Sequence, residues 1–306
     1  MKKIIAPLII TMSLLAGCGP AETTGPGTST LDPDKIHAVP SFNPIDQLVK
    51  TIGGDKVETT VFVPPGTDPH DFEPSAREMA ALKESDVLFI NGLGMEPWIE
   101  NGGITAQTTL MILGDGIVPL EIGETGDSHT EPEDHEGHDH GDHDPHIWLG
   151  LDELRIMAKN TATALEILSP QDKEYFQRNL AQFNQDADAL EEEFLPKFAS
   201  FKGEPFVTGH EAFGYLIKNI CLVQMGVSGP LSEGEPTPQK LKDLVDFIKA
   251  GNITTIFTEE LGSAKGSETL ARETGTEMVI LPTMESRGEI FPTLREIYEK
   301  ILQSLE

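Results

Sequence analysis

The chain has 306 residues and a formal net charge of −29, from 51 acidic and 22 basic side chains. That excess argues against nucleic acid and anionic lipid surfaces as partners, because polyanions are repelled. The length allows one large or two modest domains. Ten of the acidic residues fall between Glu121 and Asp144, so the remainder is acidic in an ordinary way.

Lys2 and Lys3 precede an apolar run from Ile4 to Leu15, which Leu15-Ala16-Gly17-Cys18 closes. The run is too short for a comfortable permanent span, and the pattern predicts a signal peptide over 1–17. The closing tetrapeptide resembles the lipobox of bacterial lipoprotein precursors. That resemblance implies cleavage before Cys18, lipidation of its thiol and a polar tether over 18–34. No later apolar run approaches the length of a membrane span, so the mature chain is expected to be anchored without crossing. Cys221 is then the one remaining cysteine, and a buried structural thiol is its default reading. A zinc site built from Cys pairs is excluded, which leaves His, Asp and Glu as possible ligands.

After the tether, Phe42-Asn43-Pro44 leads into a helical pattern through Leu48, punctuated by Gly53-Gly54-Asp55. Val57 to Val63 reads as a strand, followed by the loop Pro64-Pro65-Gly66-Thr67-Asp68-Pro69-His70. Ser75 can cap a helix carrying Met79 and Leu82, Asp86 to Ile90 reads as a buried strand, and Thr108 to Leu113 as another. Strand alternating with helix predicts a parallel sheet.

The segment Glu121–His146 contains neither Lys nor Arg, and six of the nine histidines, His129, His135, His138, His140, His143 and His146, crowd into its last eighteen residues. It has too little apolar surface to form a core and is expected to be solvated. Neutral imidazoles offer lone pairs to a borderline-soft cation and the carboxylates attract one, so this composition points to metal capture.

Beyond it, Leu154, Met157, Thr161, Leu165 and Leu168 recur at helical spacing, and Ser169-Pro170 marks a new start. Phe176, Leu180, Phe183, Ala187, Leu190 and Phe194 then follow in steps of four and three. This long helix is expected to end before Pro196, and its single apolar stripe suits a backbone connecting two lobes. The second half repeats the pattern, with a strand at Phe206–Thr208, helices at Phe213–Ile220 and Leu241–Ile248, and strands at Thr254–Phe257 and Met278–Leu281.

Three histidines stand out by position. His70 and His210 each follow a predicted strand, and His146 ends the acidic run before Ile147-Trp148-Leu149. Ligands of open α/β sheets collect beyond the carboxyl ends of strands, where such loops lie. Taken singly, an imidazole there is more often structural than a ligand. Two of the three share a context, Asp68-Pro69-His70 and Asp144-Pro145-His146, in which the Asp could instead orient the ring.

Larger stretches carry a resemblance. They are Ser41-Phe42-Asn43-Pro44, Ile52-Gly53-Gly54-Asp55-Lys56, Val63 through Pro74, Asn91-Gly92-Leu93-Gly94-Met95-Glu96, Asp144 to Trp148, Gly209 to Tyr215 and Gly234 to Pro238. Together they closely resemble the zinc and manganese solute-binding lipoproteins of bacterial ABC importers. The resemblance implies an α/β fold of two Rossmann-like lobes, each a mostly parallel sheet with flanking helices, joined by one long rigid helix. Boundaries follow at 35–168 for the first lobe, with its His/Asp/Glu-rich loop at 121–145, 169–196 for the linking helix and 197–306 for the second lobe.

The resemblance also implies metal in the cleft between the lobes, with His70 and His146 as ligands from the first and His210 from the second. Manganese-taking relatives tend to have a carboxylate at the position of His210, so a third imidazole favours zinc. One departure is Leu281-Pro282-Thr283-Met284-Glu285, where the family often places an Asp at the position of Pro282. The fourth position is therefore left to water, Glu259, Glu260, Glu285 or a histidine of the acidic run.

The expected function is capture of Zn²⁺, the transported ligand, outside the cytoplasmic membrane and delivery to an ABC permease with its ATPase. The protein is expected to act as a lipid-anchored monomer with no nucleic-acid partner and no catalytic role. Alternatives are a manganese-binding homologue, with Mn²⁺ as the ligand, and a zinc-buffering lipoprotein in which the histidine-rich run is itself the store. A zinc hydrolase would share three histidines and an open position, but the chain has no His-Glu-x-x-His motif: Gly214 stands where a second histidine would follow His210. The accessory histidines His129, His135, His138, His140 and His143 are expected to gather zinc at the mouth of the cleft.

Overall fold

The computed structural model describes residues 32–99, 109–122, 143–231 and 236–306. Cys18, the expected signal peptide, most of the expected tether, and His129, His135, His138 and His140 lie outside the described residues.

Two parallel sheets form the frame. The first contains β1 (Ile36–Pro40), β2 (Val57–Thr59), β3 (Val87–Ile90) and β4 (Leu110–Ile112), in the order β2-β1-β3-β4. The second contains β5 (Pro205–His210), β6 (Val223–Ser228), β7 (Thr255–Glu259) and β8 (Glu277–Leu281), in the order β6-β5-β7-β8. In both, the first strand in sequence lies inside and the chain departs from it in opposite directions, which opens a crevice at the strands' carboxyl ends. Among the described residues, eight α-helices accompany these sheets: α1 (Asn43–Gly53), α2 (Ala76–Ala81), α3 (Leu151–Leu168), α4 (Lys173–Phe198), α5 (Gly214–Ile220), α6 (Pro238–Gly251), α7 (Lys265–Thr274) and α8 (Ile290–Leu305). Among the described residues, no helix is long and apolar enough to cross a membrane.

Local chemistry explains the main starts and stops. Pro44 sits in the first turn of α1, where its missing N–H costs nothing, and the helix buries Ile45, Leu48, Val49 and Ile52. Ser75 and Glu78 form a reciprocal capping box on α2. The strand expected over Val57–Val63 is shorter as a ladder, but Thr60, Phe62 and Val63 still donate their N–H groups to Ala38, Pro40 and Ser41. Val63 therefore leads directly into the His70 loop.

The long helix runs on through Pro196 to Phe198, three residues past the end expected before Pro196. Pro196 is exposed in the last turn, so the carbonyl it leaves unpaired can reach water, while Phe194 and Phe198 both bury against Tyr298. At about 1.5 Å per residue α4 is about 39 Å long. Cys221 is exposed rather than buried. It occupies the left-handed cap of α5, where the chain reverses toward β6 at the surface.

Sequence reading missed four elements: β1, β6, α7 and α8. The five-residue β1, ended by Pro40, is too short to show a pattern. By contrast α8 carries Ile290, Leu294, Ile297, Tyr298, Ile301 and Leu302 on one buried face, a period that could have been found.

A single apolar core passes under both lobes. It takes Phe42, Phe89 and Trp148 from the first lobe, Phe176, Phe183 and Phe194 from α4, Phe213 from α5, and Leu294 and Ile297 from α8. A smaller cluster of Val207, Val227, Leu244, Ile248, Ile256 and Leu270 lies between the second sheet and α6 and α7. Polar ties reinforce the larger core. The Trp148 indole N–H donates to Thr283 O at 2.8 Å, and the Asn43 amide donates to Met284 O at 2.8 Å and Gly288 O at 3.0 Å. The loop after β8 is thereby fastened to the first lobe.

Two predictions follow from this frame. Trp148→Phe keeps a ring but leaves Thr283 O unpaired and part of the core unfilled, and should destabilise the protein by about 1–3 kcal/mol in urea unfolding. Glu96 is buried, and accepts from Ser41 Oγ at 2.7 Å, Asn91 N at 2.8 Å and Gly92 N at 3.1 Å. Burial nevertheless pushes its carboxyl up to about 7. A folded-state value above the unfolded one of about 4.3 gives stability that is greatest at acid pH and lost as pH rises through about 7. Unfolding at about pH 5 and about pH 8 should show this loss in the parent relative to Glu96→Gln, and parallel pH dependences would count against it.

Candidate metal centre

Three loops at strand carboxyl ends meet between the lobes. His70 comes from the loop after β2, His146 from the turn before α3, and His210 from the last position of β5. One ligating atom from each lies within 4.8 Å of the others. The His70 and His146 Nε2 atoms are 3.2 Å apart. Two nitrogens of a tetrahedral zinc site with bonds of about 2.0–2.1 Å would be about 3.3 Å apart, so this pair is already spaced for shared coordination.

Both Asp-Pro-His turns fold alike. Asp68 Oδ1 accepts the His70 backbone N–H at 3.0 Å, and Asp144 Oδ1 accepts that of His146 at 2.9 Å. Each is an Asx turn, the short aspartate bonding the backbone two residues on. Asp144 does more, since its Oδ1 also lies 2.7 Å from His146 Nδ1. With Nδ1–H donating to the Asp144 carboxylate, the Nε2 lone pair is left facing the cluster. Behind this turn the Asn91 side-chain amide donates to Pro145 O at 2.9 Å, and Glu96 holds the Asn91 backbone in turn. On the opposite side His210 N donates to Glu259 Oε1 at 3.3 Å, and its Nε2 lies 2.8 Å from Pro230 O. With Nε2 donating to that carbonyl, Nδ1 keeps the lone pair.

Glu285 completes the ring. It is buried, accepts from Thr283 Oγ1 at 2.9 Å, and places Oε1 3.9 Å from His146 Nε2. Of the other carboxylates considered, Glu259 lines the same cleft but is engaged with the His210 backbone, whereas Glu260 is exposed. Pro282 is buried and offers no donor atom. His143 lies apart from the cluster, paired across an antiparallel bridge with Glu121 and 3.5 Å from its carboxylate.

Burial sets the electrostatics. It holds the His146 imidazole well below the usual range, aided by His70, and brings His210 down to about 3, aided by His146. His70 is lowered by burial against the raising influence of Asp68 and Asp71. Burial also lifts Asp144 to about 7, and Glu259 and Glu285 each to about 8. The imidazoles are therefore neutral, and among the described residues no Lys or Arg pairs with the carboxyls of Asp144, Glu259 or Glu285. A divalent cation supplies a positive partner.

The model of the zinc-uptake complex component A, periplasmic (ZnuA) family matches residues 39–306. The chain belongs to the ZnuA family. A Treponema pallidum (strain Nichols) protein designated metal-binding is 36% identical over 260 residues, covering 84% of this chain and 82% of its own length. The Bacillus subtilis high-affinity zinc uptake system protein ZnuA is 30% identical, covering 89% and 85% respectively. The zinc-binding protein AdcA of Streptococcus pyogenes is longer, and at 29% identity the chain spans 52% of it. Among solved structures, a ZnuA deletion mutant with zinc bound superposes with a TM-score of 0.77 at 30% identity, over 89% of this chain and 98% of that one. ZnuA-family proteins are solute-binding components of transport systems, and membership implies association with an ABC importer.

Asp144, Asn91 and Tyr215, whose hydroxyl reaches the Asp144 carbonyl, support the site; all three lie in stretches that carry the resemblance, but those stretches do not announce a supporting role. Only the Asp-Pro-His repetition hinted at the first.

Proposed function

We propose that this chain captures Zn²⁺ outside the cytoplasmic membrane and delivers it to the permease of an ABC importer driven by its ATPase. The observation that carries this is the convergence of His70, His146 and His210 within 4.8 Å between two lobes of ZnuA-family fold. Zinc is cargo here, bound and released unchanged. In this reading the three imidazoles supply neutral nitrogen donors and Glu285 the fourth ligand. Three nitrogens and one oxygen suit zinc's tetrahedral preference, whereas a harder ion such as manganese prefers more oxygen. The cysteine at position 18 anchors a monomer to the membrane, and the histidine-rich run gathers the ion rather than holding it finally. The site binds rather than catalyses, since a carboxylate fills the position that a hydrolytic zinc site leaves to water.

Removing any one of the three imidazoles should cost more zinc affinity than the about 10–100-fold typical of a supporting partner. Glu285→Gln should fall within that range. Chelator-competition titrations of His70→Ala, His146→Ala and His210→Ala are the check, and three unchanged affinities would sink the assignment. Zn²⁺ should also outcompete Mn²⁺ on the lipid-free protein. Deleting residues 127–143 should leave one tight zinc equivalent with a slower capture rate, whereas loss of all tight binding would make the run itself the store.

A further inference from the structure

Tyr215 is fully buried in the second lobe, yet its hydroxyl ends in the first. It donates to Asp144 O at 2.8 Å and accepts from Leu120 N at 3.0 Å, while Asp144 N donates directly to Leu120 O at 2.9 Å. A directly paired antiparallel couple would exchange two backbone bonds. Here one is direct, and the phenol relays the other by standing between the Leu120 N–H and the Asp144 carbonyl. Gly214 beside it makes room, because a Cβ at that position would lie 2.7 Å from Asp144 Oδ2.

Asp144 is the residue that grips His146 through both its ring and its backbone. Tyr215 stands five residues after His210, on the same short segment of the second lobe. We infer that Tyr215 is a positioning residue for metal capture: its hydroxyl sets Asp144, and through it the His146 imidazole, in register with His210 across the lobe boundary. One segment of the second lobe thus both offers an imidazole and holds the first lobe's imidazole opposite it. Removing the hydroxyl leaves a buried N–H and a buried carbonyl unpaired at the base of the turn, and the turn can relieve them only by shifting Asp144. The inference rests on the zinc-binding reading above.

The test uses the full chain and Zn²⁺ alone, measured against a competing chelator, with the visible spectrum of the Co²⁺-loaded protein as a report on ligand geometry. Tyr215→Phe should weaken zinc binding about 10–100-fold, as loss of a supporting partner does, and change the Co²⁺ spectrum. Gly214→Ala should act in the same direction by displacing Asp144. Tyr298→Phe removes another buried hydroxyl, one without a hydrogen-bond partner, and should leave both readouts unchanged. In an Asp144→Ala background, Tyr215→Phe should add little, because the hydroxyl acts through that carboxylate. Parent affinity and spectrum in Tyr215→Phe, or losses that simply add with Asp144→Ala, would overturn the inference. If instead His146→Ala itself left zinc binding intact, the zinc-site reading would fail first, so the two failures are distinguishable.

Discussion

The apolar core shared by the two lobes is the constraint on which the rest depends. A hinge-type binding protein closes its lobes about a thin connection, but here Trp148, Phe183, Phe194 and Leu294 belong to one buried cluster that passes beneath the cleft. Opening the lobes would expose that surface to water at about 25 cal/mol per Å². Helix α4 lies along the cluster and α8 packs against it, with Phe183 and Phe291 centred 4.9 Å apart. The separation of His70 and His146 from His210 is therefore set by packing.

A cleft held at fixed width turns ligand chemistry into selectivity. The cluster lies in surroundings that disfavour charge on every side chain, as the lowered imidazoles and raised carboxyls show. A small divalent ion resolves all of these penalties together, and one that demands many oxygens cannot be served by three nitrogens on a rigid frame. Preorganisation by neighbours matters as much as the donor atoms. Asp144 fixes the face that His146 presents, Asn91 fixes the turn that carries it, and Glu96 fixes Asn91.

Much of this was readable in sequence where a period or a local rule operates. The α4 stripe from Phe176 to Phe194 announces itself in steps of four and three, and the Asp-Pro-His repeat announces two matched turns. The meeting of His70 with His146, 76 positions apart, depends on which strands become neighbours, which no local pattern encodes. The same is true of Glu285. Its register after β8 makes sense only once Trp148 and Asn43 are seen to hold that loop against the first lobe. Cys221 was misread because burial statistics for cysteine carry no information about a left-handed helix cap.

The histidine-rich run changes meaning in this setting. By composition its six histidines are interchangeable, but Glu121 and His143, at either end of the run, are paired with each other. Three residues later His146 is fully buried in the cluster. The two imidazoles differ in setting: that of His143 stands beside an exposed carboxylate, that of His146 beside a buried one. Over three residues the chain thus passes from a half-buried imidazole to a fully buried one, so desolvation of the ring nitrogens rises steeply toward the cluster.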